Sequence, residues 1–358
     1  MSSSFGERMR VNIFGQSHGT AIGVVIDGLP AGERIDLSTL RAFLQRRAPG
    51  RAAYATKRKE ADEPQFLSGI VDGVTCGAPI CAVIENTNAH SADYKNLARV
   101  PRPGHADFAA MLRDGTAIDL RGGGHFSGRL TAPLCIAGGI ATQILARKGI
   151  TIGAHIFSIA GIADTPYDPA AVTKETLLSS GAAEFPALDA DAGARMRNAV
   201  ADAAKEADSV GGIVECGVLG LTAGALGRGM FGGIESRLAP VLFGIPAVKG
   251  VEFGLGFGAA ALRGSQNNDP YMVADGQVSP RSNNHGGILG GISSGMPLLF
   301  RVAFKPTPSI GKPQQSADMD SRSTVELVIS GRHDPCIVPR AVPVVEAAAA
   351  CVLLDMML

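Results

Sequence analysis

The sequence predicts a mixed helix-and-strand fold, α+β, in one domain. Three observations carry this. Runs of β-branched and apolar residues bounded by glycine recur at 10–27, 79–85, 150–162, 209–224 and 298–305, which is the pattern of strands. Helix-like runs with apolar faces lie between them, at 36–47, 131–149 and 189–208 and again at the C-terminus. No proline-rich or serine-rich linker interrupts the 358 residues, so a single domain over 1–358 is preferred to the two that length alone suggests.

The first element, RVNIFGQSHGTAIGVVID at 10–27, reads as strand, tight turn and strand, with Ser17 and His18 held on the turn between Gly15 and Gly19. Asp36 or Ser38 caps a short helix in which Leu40, Phe43 and Leu44 share a face, and Arg46 and Arg47 close it before Pro49 and Gly50. The segment 51–63, RAAYATKRKEADE, is strongly charged and is expected to be a solvated loop rather than an anion-gathering flap. After the strand PICAVIE at 79–85, the polar NTNAHSADYKN makes His90 an ordinary loop residue.

The stretch from Arg102 to Arg129 holds the densest chemistry. In RPGHAD, Pro103 and Gly104 place His105 on a turn just before a helical run. In RGGGHFSGR, Gly122, Gly123 and Gly124 supply backbone without side-chain bulk, which suits close approach to a flat or phosphorylated ligand. TAPLCIAGGIATQILARKG then reads as an apolar helix, with Thr131 as N-cap, Pro133 in the first turn and Gly149 as terminator. The glycine loop would thus meet a helix N-terminus, where anions are favoured. Glycine-rich turns are common; the density of histidine, serine and arginine on this one favours a site.

Strands at 150–162 and 209–224 flank a polar amphipathic helix at 189–208, and GIESRLAPVLFGIPAVKGVEFG reads as helix, a break at Pro246, and strand. GLGFGA at 254–259 lacks the spacing and the acidic residue of a dinucleotide fingerprint, and no Walker phosphate loop is present. Arg332, His333 and Asp334 lie on a turn before an apolar C-terminal helix.

Composition narrows the function classes. Thirty-three basic against 33 acidic residues argue against a general nucleic-acid binder, so any basic site is local. The mean hydropathy is +0.17, yet no uninterrupted apolar run approaches the roughly 18 residues of a membrane span. MSSSFGERMR lacks an apolar signal core, which leads us to expect a cytoplasmic protein. The six cysteines, without CxxC spacing or paired histidines, are expected to be buried thiols, and no metal site is anticipated.

Taken together, FGQSHG at 14–19, RPGHAD at 102–107, RGGGHFSGR at 121–129, the run SNNHGGILGGISSG, KPTPS at 305–309 and GRHDPCIVPRAVPVVEA at 331–347 resemble the chorismate synthase family. The resemblance spans nearly the whole chain in the same order. It implies a β-α-β sandwich of antiparallel sheets around a helical core, assembled as a homotetramer. It also implies a carbon–oxygen lyase acting on phosphates: 5-enolpyruvylshikimate 3-phosphate loses phosphate and a ring proton by anti 1,4-elimination to give chorismate, the last step of the shikimate pathway to aromatic amino acids. Reduced FMN is required without net redox change, and NADPH is a candidate flavin reductant.

Residue roles follow from the resemblance. His18 matches the acid for the leaving phosphate and His105 the one that protonates reduced flavin, as imidazole titrates near working pH. Asp334, Ser17 and Ser127 match a proton relay. Arg47, Arg102, Arg129 and Arg332 match substrate positions, and guanidinium forks suit one phosphate and two carboxylates. Flavin contacts fall on His125, Phe126, Ser127, Ala247, Gly290, Lys305, Pro306, Thr307, Pro308, Ser309 and Arg332. Gln16, Ala53, the His125–Phe126 pair and Pro246 depart from the common pattern. The alternative is a flavin reductase or other FMN-dependent oxidoreductase; a phosphate-metabolite or nucleic-acid binding protein is a third reading, against which the balanced charge counts.

Overall fold

The two most apolar stretches become the two central helices, Thr131–Arg147 and Val338–Met357, buried around nearly their whole circumference. They pack against each other, and Gly138 makes the approach close: a Cβ there would lie 2.2 Å from Ala347 Cα. The helical run Gly128–Arg147, which takes in the first of these helices, has the length and composition of a membrane span, but 83% of its most apolar window is buried inside the fold, so it reads as a core helix.

The computed structural model describes residues 3–50, 62–86, 99–274, 276–329 and 334–358. Two five-stranded antiparallel sheets enclose the helices. The first runs in the order Ser4–Phe5, Arg10–Gly15, Ala21–Asp27, Ile80–Glu85, Gln65–Ser68 and packs on Thr131–Arg147. The second runs Val248–Phe253, Leu298–Phe304, Gly212–Leu219, Thr151–Ile159, Ile162–Ala163 and packs on the C-terminal helix. The expected sandwich of antiparallel sheets around a helical core is therefore what forms.

Two carboxylates of the C-terminal helix fasten distant parts of the chain. Asp355 accepts from the backbone N–H groups of Glu7, Arg8 and Met9, the last two at 2.7 Å. Glu346 accepts both tips of the Arg46 fork at 2.6 and 2.7 Å and the amide of Ala154 at 3.0 Å. The helix Leu37–Arg47 is thus pinned at its C-terminal end, and at its start Asp36 caps it, accepting from Ser38 and Thr39. This holds Arg47 at a fixed place.

Several expectations need correction. Thr131 is not an N-cap: it is the first helical residue, and its hydroxyl donates to Gly128 O at 2.6 Å. Of the cysteines, Cys135, Cys216, Cys336 and Cys351 are buried, but Cys76, just past the strand Val74–Thr75, is exposed and Cys81 half-buried. The hairpin Gln314–Asp318 with Ser323–Leu327 and the helix Lys174–Ala182 lack apolar periodicity and carry no clear sequence signal. Arg332, His333, His90 and Ala53 lie outside the described residues.

Candidate active site

The centre of the site is the glycine turn. Gly122, Gly123 and Gly124 have φ of 61°, 89° and 54°, three consecutive left-handed residues that side chains disfavour. Space adds to this requirement. A Cβ on Gly122 would lie 2.4 Å from His18 Cδ2 and 2.8 Å from Ser17 Oγ, and one on Gly123 would lie 3.2 Å from His105 Nε2. Adjacent glycines therefore face the two predicted catalytic histidines. The hairpin loop bearing Ser17 and His18 is tied to this turn, with the Ser17 amide donating to Gly124 O at 3.0 Å. Both residues are buried, so His18 is not the solvated residue that loop histidines usually are.

His105 sits on the predicted turn, its amide donating to Arg102 O at 3.2 Å ahead of the helix Asp107–Asp114. Its Nδ1 lies 2.5 Å from Asp107 Oδ1, and a carboxylate partner makes Nδ1 the protonated nitrogen and directs Nε2 at Gly123. Asp107 is fully buried and also takes Arg102 Nε at 2.6 Å and Nη2 at 2.8 Å. Burial pushes its pKa up, but the bonds from Arg102 and His105 outweigh this and hold the carboxyl well below its ordinary range. Arg102 reaches on to Ser309 Oγ, 3.2 Å away.

Arg47 and Arg129 meet on one carboxylate. Arg47 Nη1 donates to Asp62 Oδ2 at 2.7 Å and Arg129 Nη1 donates to Asp62 Oδ1. Asp62 was expected on a solvated charged loop; it is instead buried, because two guanidiniums compensate it. Asp334 accepts from Arg340 Nη1, and Arg340 Nε donates to Arg47 O at 2.9 Å, linking the C-terminal turn to the arginine pair. The Asp334 side chain is only 11% exposed.

These groups line one cavity of about 1030 Å³, shared by Arg47, Arg102, His105, Gly122, Ser127, Arg129, Asp334 and Arg340 with Phe126, Ala247, Lys305, Thr307, Pro308 and Ser309. Ser127 accepts from the Arg129 amide at 3.3 Å. His125 also lines it, but both ring nitrogens are engaged: Nδ1 donates to Gly15 O at 2.8 Å and Nε2 meets Ser3 Oγ. Pro306 packs instead beside Gly211, and Gly290 occupies the exposed turn between Ile288–Leu289 and Ile292–Ser293; neither lines the cavity. Ser17 and His18 stand behind Gly122 rather than on the wall itself.

Sequence reasoning missed Asp62, Asp107, Lys249 and Arg340. Asp107 and Arg340 lie inside the motifs RPGHAD and GRHDPCIVPRAVPVVEA, so proximity to His105 and Asp334 could have found them. No local signal marks Asp62. The assembled wall is strongly cationic and offers imidazoles and a desolvated carboxylate, a combination suited to proton transfer on an anionic metabolite.

The comparisons agree with this chemistry. The family model described as chorismate synthase matches residues 9–358. Among curated relatives, the chorismate synthase of Lancefieldella parvula is 48% identical over 366 residues, covering 99% of this chain and 96% of the relative. That of Thermococcus gammatolerans is 47% identical, covering 99% and 97%. A crystal structure of chorismate synthase superposes with a TM-score of 0.73 at 28% identity, covering 99% of this chain and 92% of that one. With a matching model across almost every residue and relatives near half-identical, the chain belongs to the chorismate synthase family and is a lyase of that type.

Proposed function

We propose that the chain converts 5-enolpyruvylshikimate 3-phosphate into chorismate, removing a ring proton while the C–O bond to phosphate breaks on the opposite face. The observation that carries this reading is the convergence of Arg47, Arg102, Arg129, His105 and Asp334 on one cavity of about 1030 Å³. Guanidiniums bind the phosphate and two carboxylates, and anchoring these groups fixes the ring where acid and base can act. His18, behind Gly122, meets the departing phosphate as its acid, while Asp334, with Ser17 and Ser127, carries away the ring proton.

Reduced FMN is the cofactor of this reading, and the residues fit it. Thr307 Oγ1 is buried without a hydrogen-bond partner among the described residues, and Lys249 and Lys305 put two ammonium groups on the same wall. Burial and the charge of Lys249 lower the pKa of Lys305, as expected of a cation awaiting an anion. Ala247, held at φ 75° with its carbonyl on the Lys305 amide at 3.0 Å, adds a strained backbone position to that wall. When bound, the flavin supplies electron density and a proton acceptor that side chains lack. His105, with Nδ1 fixed by Asp107, would present Nε2 to that cofactor for proton transfer.

A homotetramer completes the reading. Phe231, Phe257, Tyr271, Val273 and Val278 expose large apolar side chains, the kind of surface that subunits cover. The deciding experiment mixes protein anaerobically with dithionite-reduced FMN and 5-enolpyruvylshikimate 3-phosphate. Equal amounts of chorismate and phosphate are expected, with none when FMN is left oxidised; hydride consumption without phosphate release would instead indicate a flavin oxidoreductase.

A further inference from the structure

We propose that Asp62 is the positioning residue of the substrate clamp, locking Arg47 and Arg129 side by side so that together they form one anion site. The inference rests on the reading that this cavity binds 5-enolpyruvylshikimate 3-phosphate. Its ground is a bridging geometry, in which one carboxylate oxygen takes Arg47 at 2.7 Å and the other takes Arg129. All three side chains are withdrawn from solvent, with exposures of 0% for Asp62, 4% for Arg47 and 6% for Arg129. A buried ionic trio persists only where its geometry is good and its remaining donors are satisfied. Several of them are here: Arg47 Nη2 donates to Gly128 O at 2.9 Å, Arg47 Nε to Thr131 Oγ1 at 3.1 Å, and Arg129 Nε to Asn86 Oδ1 at 3.2 Å.

Charge and backbone point the same way. Two guanidiniums against one carboxylate leave the trio positive, so Asp62 fixes the pair without cancelling its attraction for an anion. Asp62 also sits at φ 49°, a left-handed conformation that its surroundings impose and that is common where geometry serves function. Burial pushes its pKa up, but Arg47 and Arg129 outweigh this and keep it ionised. The bridge connects the end of the helix Leu37–Arg47 to the loop before Thr131–Arg147, two elements with no shared hydrogen-bond ladder.

The test is binding of 5-enolpyruvylshikimate 3-phosphate by calorimetry to full-length protein loaded with oxidised FMN, beside steady-state elimination with reduced FMN. For Asp62→Asn we expect Kd and KM to rise together by about 10-fold or more while kcat stays within about 3-fold, the pattern of lost substrate positioning. Unchanged Kd, or a fall in kcat alone, would overturn the assignment. Tighter binding would also overturn it, since Asp62 would then compete with substrate for the arginines. If Asp62→Asn abolishes the melting transition, Asp62→Glu decides, because it keeps the charge and displaces both oxygens: weaker binding supports positioning and wild-type binding refutes it. Wild-type protein that binds no substrate would reject the reading of the cavity itself, an outcome distinct from a variant that behaves like wild type.

Discussion

Two buried charge clusters in this molecule look alike in composition and differ in surroundings. In the second sheet, His155 places Nδ1 3.1 Å from Asp164 and Nε2 2.9 Å from Glu215, beneath the Tyr167 ring at 4.4 Å. Arg301 donates to Glu215 at 2.8 Å and lies 3.9 Å above the Phe157 ring. There, imidazolium and guanidinium are met by Asp164, Glu215 and, 3.7 Å from Arg301, the more exposed Glu252, and none of the five lines the cavity. On the cavity wall, by contrast, Arg47, Arg102, Arg129, Arg340, Lys249 and Lys305 outnumber the carboxylates of Asp62, Asp107 and Asp334 that pair with the arginines among the described residues. Burial of charge therefore does not mark a site; an excess of one sign beside open volume does.

The sharpest way to break the comparison is to remove a charge from the closed cluster. His155→Gln should cost about 3 kcal/mol of stability, the low end for breaking a buried pair, because backbone amides still serve Asp164 and Glu215. Denaturant unfolding measures it, and kcat per folded molecule should be unchanged. An elimination defect at full folding would mean that the cluster is no mere strut.

At the open cluster the effects reverse. His105→Ala and His18→Ala should each lower elimination by about 10²-fold, the scale of a lost general acid, with the melting temperature nearly kept. Near-wild-type turnover in both would remove them from the chemistry. Gly122→Ala is gentler, as it adds only a methyl, but that carbon would stand 2.4 Å from His18 Cδ2 at a φ of 61°. Displacing His18 should reduce kcat by roughly 10-fold, less than deleting it, since misplacement forfeits only part of the orientation gain. Unchanged kcat would show that His18 needs no fixed seat.

How far the sequence foretold these clusters follows from the range of the forces involved. The hairpin at 10–27, both central helices and the turn bearing His105 were legible because period, caps and turn residues act within a few positions. Sheet order was not, since pairing such as Glu215 with Arg301 joins segments 86 residues apart. Motif resemblance singled out His105 and three arginines that line the cavity and His18 behind Gly122, whereas Gly290 and Pro306, singled out in the same way, do not line it. Asp62 and His155 were invisible for the same reason: an isolated charge in a local window looks solvated, and only tertiary packing shows what compensates it.

The finest contrast between the clusters is in pH. Burial lowers the proton affinity of His155, but the bonds to Asp164 and Glu215 dominate and raise its pKa above the ordinary value. The folded chain thus binds this proton more tightly than the unfolded one. Its contribution is complete below the unfolded value of about 6.5 and is lost as pH rises through the elevated folded value. Asp164 and Glu215 shift the other way, so their contribution is present above about pH 4 and lost on acidification. The gap in melting temperature between wild type and His155→Gln should therefore be widest near pH 5 to 6, an order-of-magnitude window set by those unfolded values, and narrow toward alkaline pH. A gap that widened with rising pH would mean that His155 is buried neutral and that the cluster is not charge-matched after all.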